Sequence, residues 1–200
     1  MQQLAFLIPV LLADAGGLDA AELNPRLMVS GGASFILDKN VEDLTGQPAT
    51  LILKDKLQAG ILGGIDLSRS LALETGLRFG SSDFRIQGRD QPSGTPIHFT
   101  IQQFFCNVVY STPTSGGGLH LFATGGAGAR RIHVATGSGS GYGWSINLGG
   151  GLEARPSRRY AIRVELRDFI GKTPRFAPSQ LRGGLLHDIH PSIGLVIHMH

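Results

Sequence analysis

The sequence predicts an all-β protein, an eight-stranded antiparallel transmembrane β-barrel, and three observations carry that expectation. Apolar and polar residues alternate at period two along segments of roughly ten residues or more, which gives a strand two unlike faces. The segments are joined by connections that are alternately short and long. The polar face of the segments mixes Gly, Ala and Ser with Arg and Glu and carries almost no Lys.

Eight strands are expected, over residues 26–37, 57–68, 71–80, 98–111, 119–134, 144–155, 160–169 and 188–199. In the second, Leu57, Ala59, Ile61, Ile65 and Leu67 oppose Gln58, Gly60, Gly64 and Asp66. In the third, Leu71, Leu73, Leu77 and Phe79 oppose Ala72, Glu74, Gly76, Arg78 and Gly80. The fourth and fifth are less regular: Phe105 and Phe122 fall on the polar face, and Arg130-Arg131 reads as a bulge or as the exit into a loop. The sixth sets Trp144, Ile146, Leu148 and Leu152 against Ser145, Asn147, Glu153 and Arg155. The seventh is the most sharply divided, with Tyr160, Ile162, Val164 and Leu166 on one face and Ala161, Arg163, Glu165 and Arg167 on the other. The eighth sets Ile189, Ile193, Leu195, Ile197 and Met199 against His190, Ser192, Gly194 and His198. The connections 68–70, 113–118 and 156–159 are short, while 38–56, 81–97, 135–143 and 170–187 are long and rich in Gly, Pro, Asp and Ser.

Composition agrees with one domain. The chain has 200 residues, of which 16% are charged, 42% are hydrophobic and 29 are Gly, so it suits a single core and no second domain. No apolar run approaches the ~20 residues that a transmembrane helix requires. A barrel escapes that test because every second residue can be polar. The net charge of +3 comes from dispersed basic residues, which argues against nucleic-acid binding. The apolar run from Leu4 to Leu12, followed by Ala13-Asp14-Ala15, reads as a secretory signal peptide over residues 1–20, leaving 21–200 as the barrel. The single Cys106, among Phe104, Val108 and Tyr110, reads as a buried or lipid-facing thiol.

The polar face decides whether water lies outside or inside the barrel. An eight-stranded barrel is only wide enough for side chains to fill it. Small residues beside complementary charges suit that space, and Glu74, Arg78, Glu153, Arg163, Glu165 and Arg167 are expected to form a lumenal ion-pair network. Phe35, Phe79 and Trp144 fall at the long-loop ends of strands and Tyr110 and Tyr160 at the short-turn ends, as two interfacial aromatic girdles would.

Gly149, Gly151 and Glu153, followed by Arg163-Val164-Glu165-Leu166-Arg167-Asp168-Phe169, resemble the sixth and seventh strands of the small outer-membrane β-barrel family typified by OmpA and OmpX. The resemblance implies a bacterial outer-membrane location and contact with outer-membrane lipid. The even strand number puts both termini on the short-turn side, which is the periplasmic one. A monomer and no cofactor are also expected.

Other chemistry is thinly represented. His187, His190, His198 and His200 crowd the C-terminus, yet His190 and His198 lie about 26 Å apart along a strand, too far to share a metal. His190-Pro191-Ser192 places a base and a hydroxyl on one face, the minimal pair for a lipid-modifying hydrolase, but that face is expected to point into the lumen. The run Gly137 to Gly141 reads as a flexible loop. No catalytic residue and no metal site is expected. The function expected is structural, or surface contact with extracellular ligands through the four long loops above a closed lumen. A narrow porin-like channel and a soluble lipocalin-like carrier are the alternatives.

Overall fold

Strands with one apolar and one small or charged face bury neither face by pairing alone, and closing them into a ring separates the two media while leaving no unpaired edge. The computed structural model describes residues 24–36, 39–42, 48–53, 56–88, 97–112, 118–134, 140–172 and 185–199. In chain order the strands are β1 (Asn24–Ile36), β2 (Lys39–Glu42), β3 (Pro48–Leu53), β4 (Lys56–Asp66), β5 (Leu71–Gly88), β6 (Ile97–Ser111), β7 (Leu119–Val134), β8 (Ser140–Ala154), β9 (Tyr160–Lys172) and β10 (Leu185–His198). Eight of them, all but β2 and β3, form an antiparallel wall closed by pairing of β5 with β6 and of β1 with β10.

The register fixes the shape of the ring. From Arg26 the paired positions run through Gly64, Glu74, Asn107, Gly126, Asn147, Phe169 and Asp188 and return to β1 at Ile36, ten residues further on. A stagger of that size over eight strands tilts them by about 40° and gives a radius of about 8 Å, a bore that side chains can fill.

Four sequence expectations are corrected. The long connection 38–56 contains a hairpin, β2–β3, whose second strand pairs with the upper part of β5. The connection 81–97 is shorter than expected, because β5 continues to Gly88. Ser81-Ser82-Asp83 reads as loop locally, but the strand is held by cross-strand partners from Ser81↔Thr100 to Phe84↔Ile97. Arg130-Arg131 is neither bulge nor exit: β7 keeps continuous register with β6 and β8 through both residues, so Arg130 points inward and Arg131 outward. β8 likewise starts at Ser140 rather than Trp144. The expected signal segment 1–20, most of the Gly137–Gly141 run and His200 lie outside the described residues.

The short connections have local reasons. Leu67 and Ser68 both donate to the Leu71 carbonyl, at 2.8 and 3.0 Å, and the Ser68 hydroxyl accepts from the Leu71 N–H. Ser157 Oγ accepts from the Tyr160 N–H at 3.0 Å at the start of β9.

The wall itself depends on close approaches that only glycine allows, at Gly126, Gly128 and Gly151 among others. A Cβ on Gly126 would lie 2.0 Å from the Cys106 carbonyl oxygen and 2.8 Å from Asn107 Cα, both backbone atoms of the neighbouring strand. Gly126→Ala is expected to destabilise the barrel by about 1–3 kcal/mol through overpacking. Urea unfolding of the detergent-refolded protein measures it.

Candidate functional site

The outer surface is a belt of apolar side chains. Leu71 to Phe79 on β5 and Leu152 to Trp144 on β8 each cover eight residue steps, which rise about 20 Å at this tilt. That is close to the ~25 Å apolar band of membrane barrels. Val29, Ile61, Leu77, Phe104, Leu148, Val164, Leu166 and Leu195 all point out of the ring and are exposed. Phe35, Phe79 and Trp144 lie outward toward the long-loop end, and Tyr110 and Tyr160 outward at the short-turn end. The Arg159 guanidinium sits 5.8 Å from the Tyr160 ring centre, and Arg131 sits 5.6 Å from that of Tyr142. Cys106 is outward and exposed, beside Thr75 at 3.6 Å. The lipocalin-like alternative required the apolar face to enclose a ligand cavity; here that face is turned away from the lumen.

The lumen holds the charges. Glu74 is the hub: its Oε1 accepts from Arg26 Nη2 at 2.8 Å and from Arg163 Nη1. Arg26 also faces Asp66 at 3.2 Å. Arg163 Nε reaches Glu165 Oε2 at 3.3 Å, and Arg167 grips both oxygens of Glu165, at 2.7 and 2.8 Å. Four of the six residues expected in the network, Glu74, Arg163, Glu165 and Arg167, are therefore one chain of contacts. The other two belong to separate pairs. Arg78 Nη2 donates to Asp188 Oδ2 at 2.6 Å, and Asp188 Oδ1 accepts from Ser34 Oγ at 2.5 Å. Glu153 accepts from Arg155 Nε at 2.7 Å near the short-turn end.

Aromatic rings turn inward to meet the arginines, which explains why Phe105 and Phe122 break the expected pattern. The Arg163 guanidinium lies 3.8 Å above the Phe122 ring, Arg78 lies 4.1 Å above Phe169, and Arg167 lies 5.0 Å from Phe105. Phe105 and Phe169 pack edge-on at 5.5 Å. A guanidinium over a ring face keeps favourable electrostatics while shedding water. Glycine on the adjacent strand makes the space: Gly76 is paired with Phe105, and a Cβ on it would lie 2.6 Å from the Phe105 ring. Toward the long-loop end Phe99, Ile101, Ile132 and Leu186 point inward and are buried, so an apolar layer lies above the charged one.

Sequence reasoning placed Asp66 and Arg155 on the polar face without assigning them to the network, and it missed Arg26, Arg130 and Asp188 as lumenal charges. Arg26 and Asp188 sit at strand ends, where alternation is too short to assign a face, and Arg130 is masked by its neighbour Arg131. Of the histidines, His190 and His198 point inward with Ser192, whereas His187 is outward and lies 2.8 Å from Asp168. Among the described residues no group of three or more His, Cys, Asp or Glu converges as a metal site.

No protein-family model and no curated protein matches the chain. Solved structures do. The outer membrane protein OprG from Pseudomonas aeruginosa superposes with a TM-score of 0.59 at 12% identity, over 89% of this chain and 97% of that one. The outer membrane protein AlkL, determined in DMPC lipid bilayers, gives 0.57 at 12% identity, over 87% and 90%. Neisserial surface protein A gives 0.53 at 12% identity, over 87% and 96%. At such identities the likeness is one of fold, and the fold is that of the small bacterial outer-membrane β-barrels.

Proposed function

We propose that this outer-membrane barrel is a closed, monomeric, non-enzymatic scaffold that holds its long connections at the cell surface for contact with extracellular ligands. The observation that supports it most is the continuous filling of the lumen: Arg26, Glu74, Arg163, Glu165 and Arg167 cross it in one ion-paired chain, with Phe105, Phe122 and Phe169 packed against the guanidinium groups. Loops on such a rigid wall are free to vary in sequence without disturbing the fold. Ser192 and His190 are locked among arginines inside the wall and do not face lipid, which leaves a lipid-modifying activity without access to its substrate.

Planar-bilayer recording of the refolded protein is expected to give no discrete conductance steps. Ohmic steps would overturn the closed-lumen reading in favour of a narrow channel. Exchanging the connection 89–96 for a Gly/Ser linker of equal length is expected to leave the heat-dependent mobility shift on SDS gels intact. Loss of that shift would make the connection part of the fold rather than a variable attachment.

A further inference from the structure

The outer face of the wall is apolar up to Ala129 on β7 and its cross-strand partner Trp144 on β8, and one alternation step further it changes character. There Arg131 lies between Gln102 of β6 and Tyr142 of β8, and His133 lies between Thr100 and Ser140. All six side chains are exposed, and all can donate hydrogen bonds. One alternation step on a tilted strand rises about 5 Å, so the patch begins about 25 Å above Leu152, at the upper edge of the apolar band. It faces sideways from the wall, toward the layer that lipid headgroups occupy.

Contacts within the patch hold it in one arrangement. The Arg131 guanidinium lies 5.6 Å from the Tyr142 ring centre and donates through Nη2 to Ser140 Oγ at 3.3 Å. Ser140 Oγ also meets Nδ1 of His133 at 3.1 Å. A hydroxyl that accepts from Arg131 has its own proton to give to Nδ1. The proton of the neutral ring is then on Nε2, which makes that atom a donor. Arg131 has five N–H groups and no acceptor, so Ser140 leaves most of them for another partner.

No carboxylate answers these donors. Among the described residues the outward faces of β6, β7 and β8 carry neither Asp nor Glu, and the connecting residues 135–139, Ala-Thr-Gly-Ser-Gly, are uncharged. Other basic side chains described on the outside at this end do have one: His98 pairs with Asp83, and His187 with Asp168 at 2.8 Å. The unanswered donors are thus confined to the β6–β8 sector. A guanidinium with spare donors at headgroup depth matches a phosphate oxygen, and amide and hydroxyl neighbours match a sugar. The long-loop end of an outer-membrane barrel is the external one, where the leaflet is largely phosphorylated glycolipid and not phospholipid.

We propose that Arg131, His133, Ser140 and Tyr142, with Gln102 and Thr100 beside them, bind one phosphate-bearing glycolipid of the outer leaflet. The guanidinium and imidazole take the phosphate, and the amide and hydroxyl groups take the sugar.

The test refolds the full chain into dodecyl maltoside micelles and counts bound lipid by native mass spectrometry. Bisphosphorylated lipid A is the probe, and phosphatidylglycerol and inorganic phosphate are the competitors. One lipid A per barrel is expected to persist in an excess of either competitor. Arg131→Gln, an exposed substitution that leaves the plug intact, is expected to weaken lipid A binding roughly tenfold, the effect of losing one charge-assisted hydrogen bond. Arg159→Gln removes an exposed arginine at the opposite rim and is expected to change nothing. Displacement by phosphatidylglycerol would make the patch a site for any anionic headgroup, and displacement by inorganic phosphate a site for the free anion; either overturns the glycolipid assignment. Equal losses in the two variants, or none in Arg131→Gln, would mean that the lipid adsorbs without using this patch and would overturn the proposal as well.

Discussion

Replacing Glu74 with glutamine is expected to lower the unfolding free energy of the refolded barrel by about 3–5 kcal/mol. One carboxylate oxygen serves both Arg26 and Arg163, and all three side chains are at most 4% exposed. The substitution keeps the volume and removes the charge, so two guanidinium groups lose their shared counter-ion in a place water does not reach. An exposed ion pair of the same geometry would contribute only about 0–1 kcal/mol. Replacing Glu74 and Arg163 together by methionine should cost less than Glu74→Gln alone, because the orphaned charge goes with its partner. Urea unfolding followed through the fluorescence of Trp144, the one tryptophan of the chain, measures both. A loss under about 1 kcal/mol for Glu74→Gln would mean that the lumen is wet at this level.

Leu166→Arg is expected to cost about 2–4 kcal/mol when folding is measured into phosphatidylcholine vesicles. Leu166 is exposed on the outer wall, between the tyrosine and tryptophan levels. Its cross-strand neighbours are Gly150 and Pro191, neither of which can pair with a new cation. The same substitution at Tyr160, in the short-turn girdle, should cost only about 0–1 kcal/mol, since the side chain there reaches the headgroups. The contrast between the two positions separates a lipid-facing wall from a solvated one, on which both changes would be near neutral.

The wall was largely legible in the sequence because its signal is local. In the 160–169 strand every second residue changes character, and that alone assigns Arg163, Glu165 and Arg167 to one medium and Ile162, Val164 and Leu166 to the other. The pairing of charges was much less legible. Arg78 meets Asp188 across 110 residues and Arg163 meets Glu74 across 89, so those contacts exist only after the ring has closed. Composition named the right kind of network and joined Arg78 and Glu153 to it, whereas register assigns those two to other partners. The extension of β5 through Ser82 and Asp83 was hidden for a related reason. Polar residues beyond the membrane carry no alternation signal, and the strand persists there because β6 and β3 pair with it.

The ten-residue stagger of the ring also constrains how such a chain can change over generations. Inserting or deleting one residue within a wall strand behaves like a frameshift. Every position beyond it trades lipid for lumen, so Arg167 would emerge into hydrocarbon and Leu166 would enter the plug. Losses and gains in steps of two preserve the parity but alter the stagger, and with it the bore that the arginines and phenylalanines fill. Length is therefore expected to drift almost entirely in the connections, and homologous chains should differ in loop size while their strands keep step.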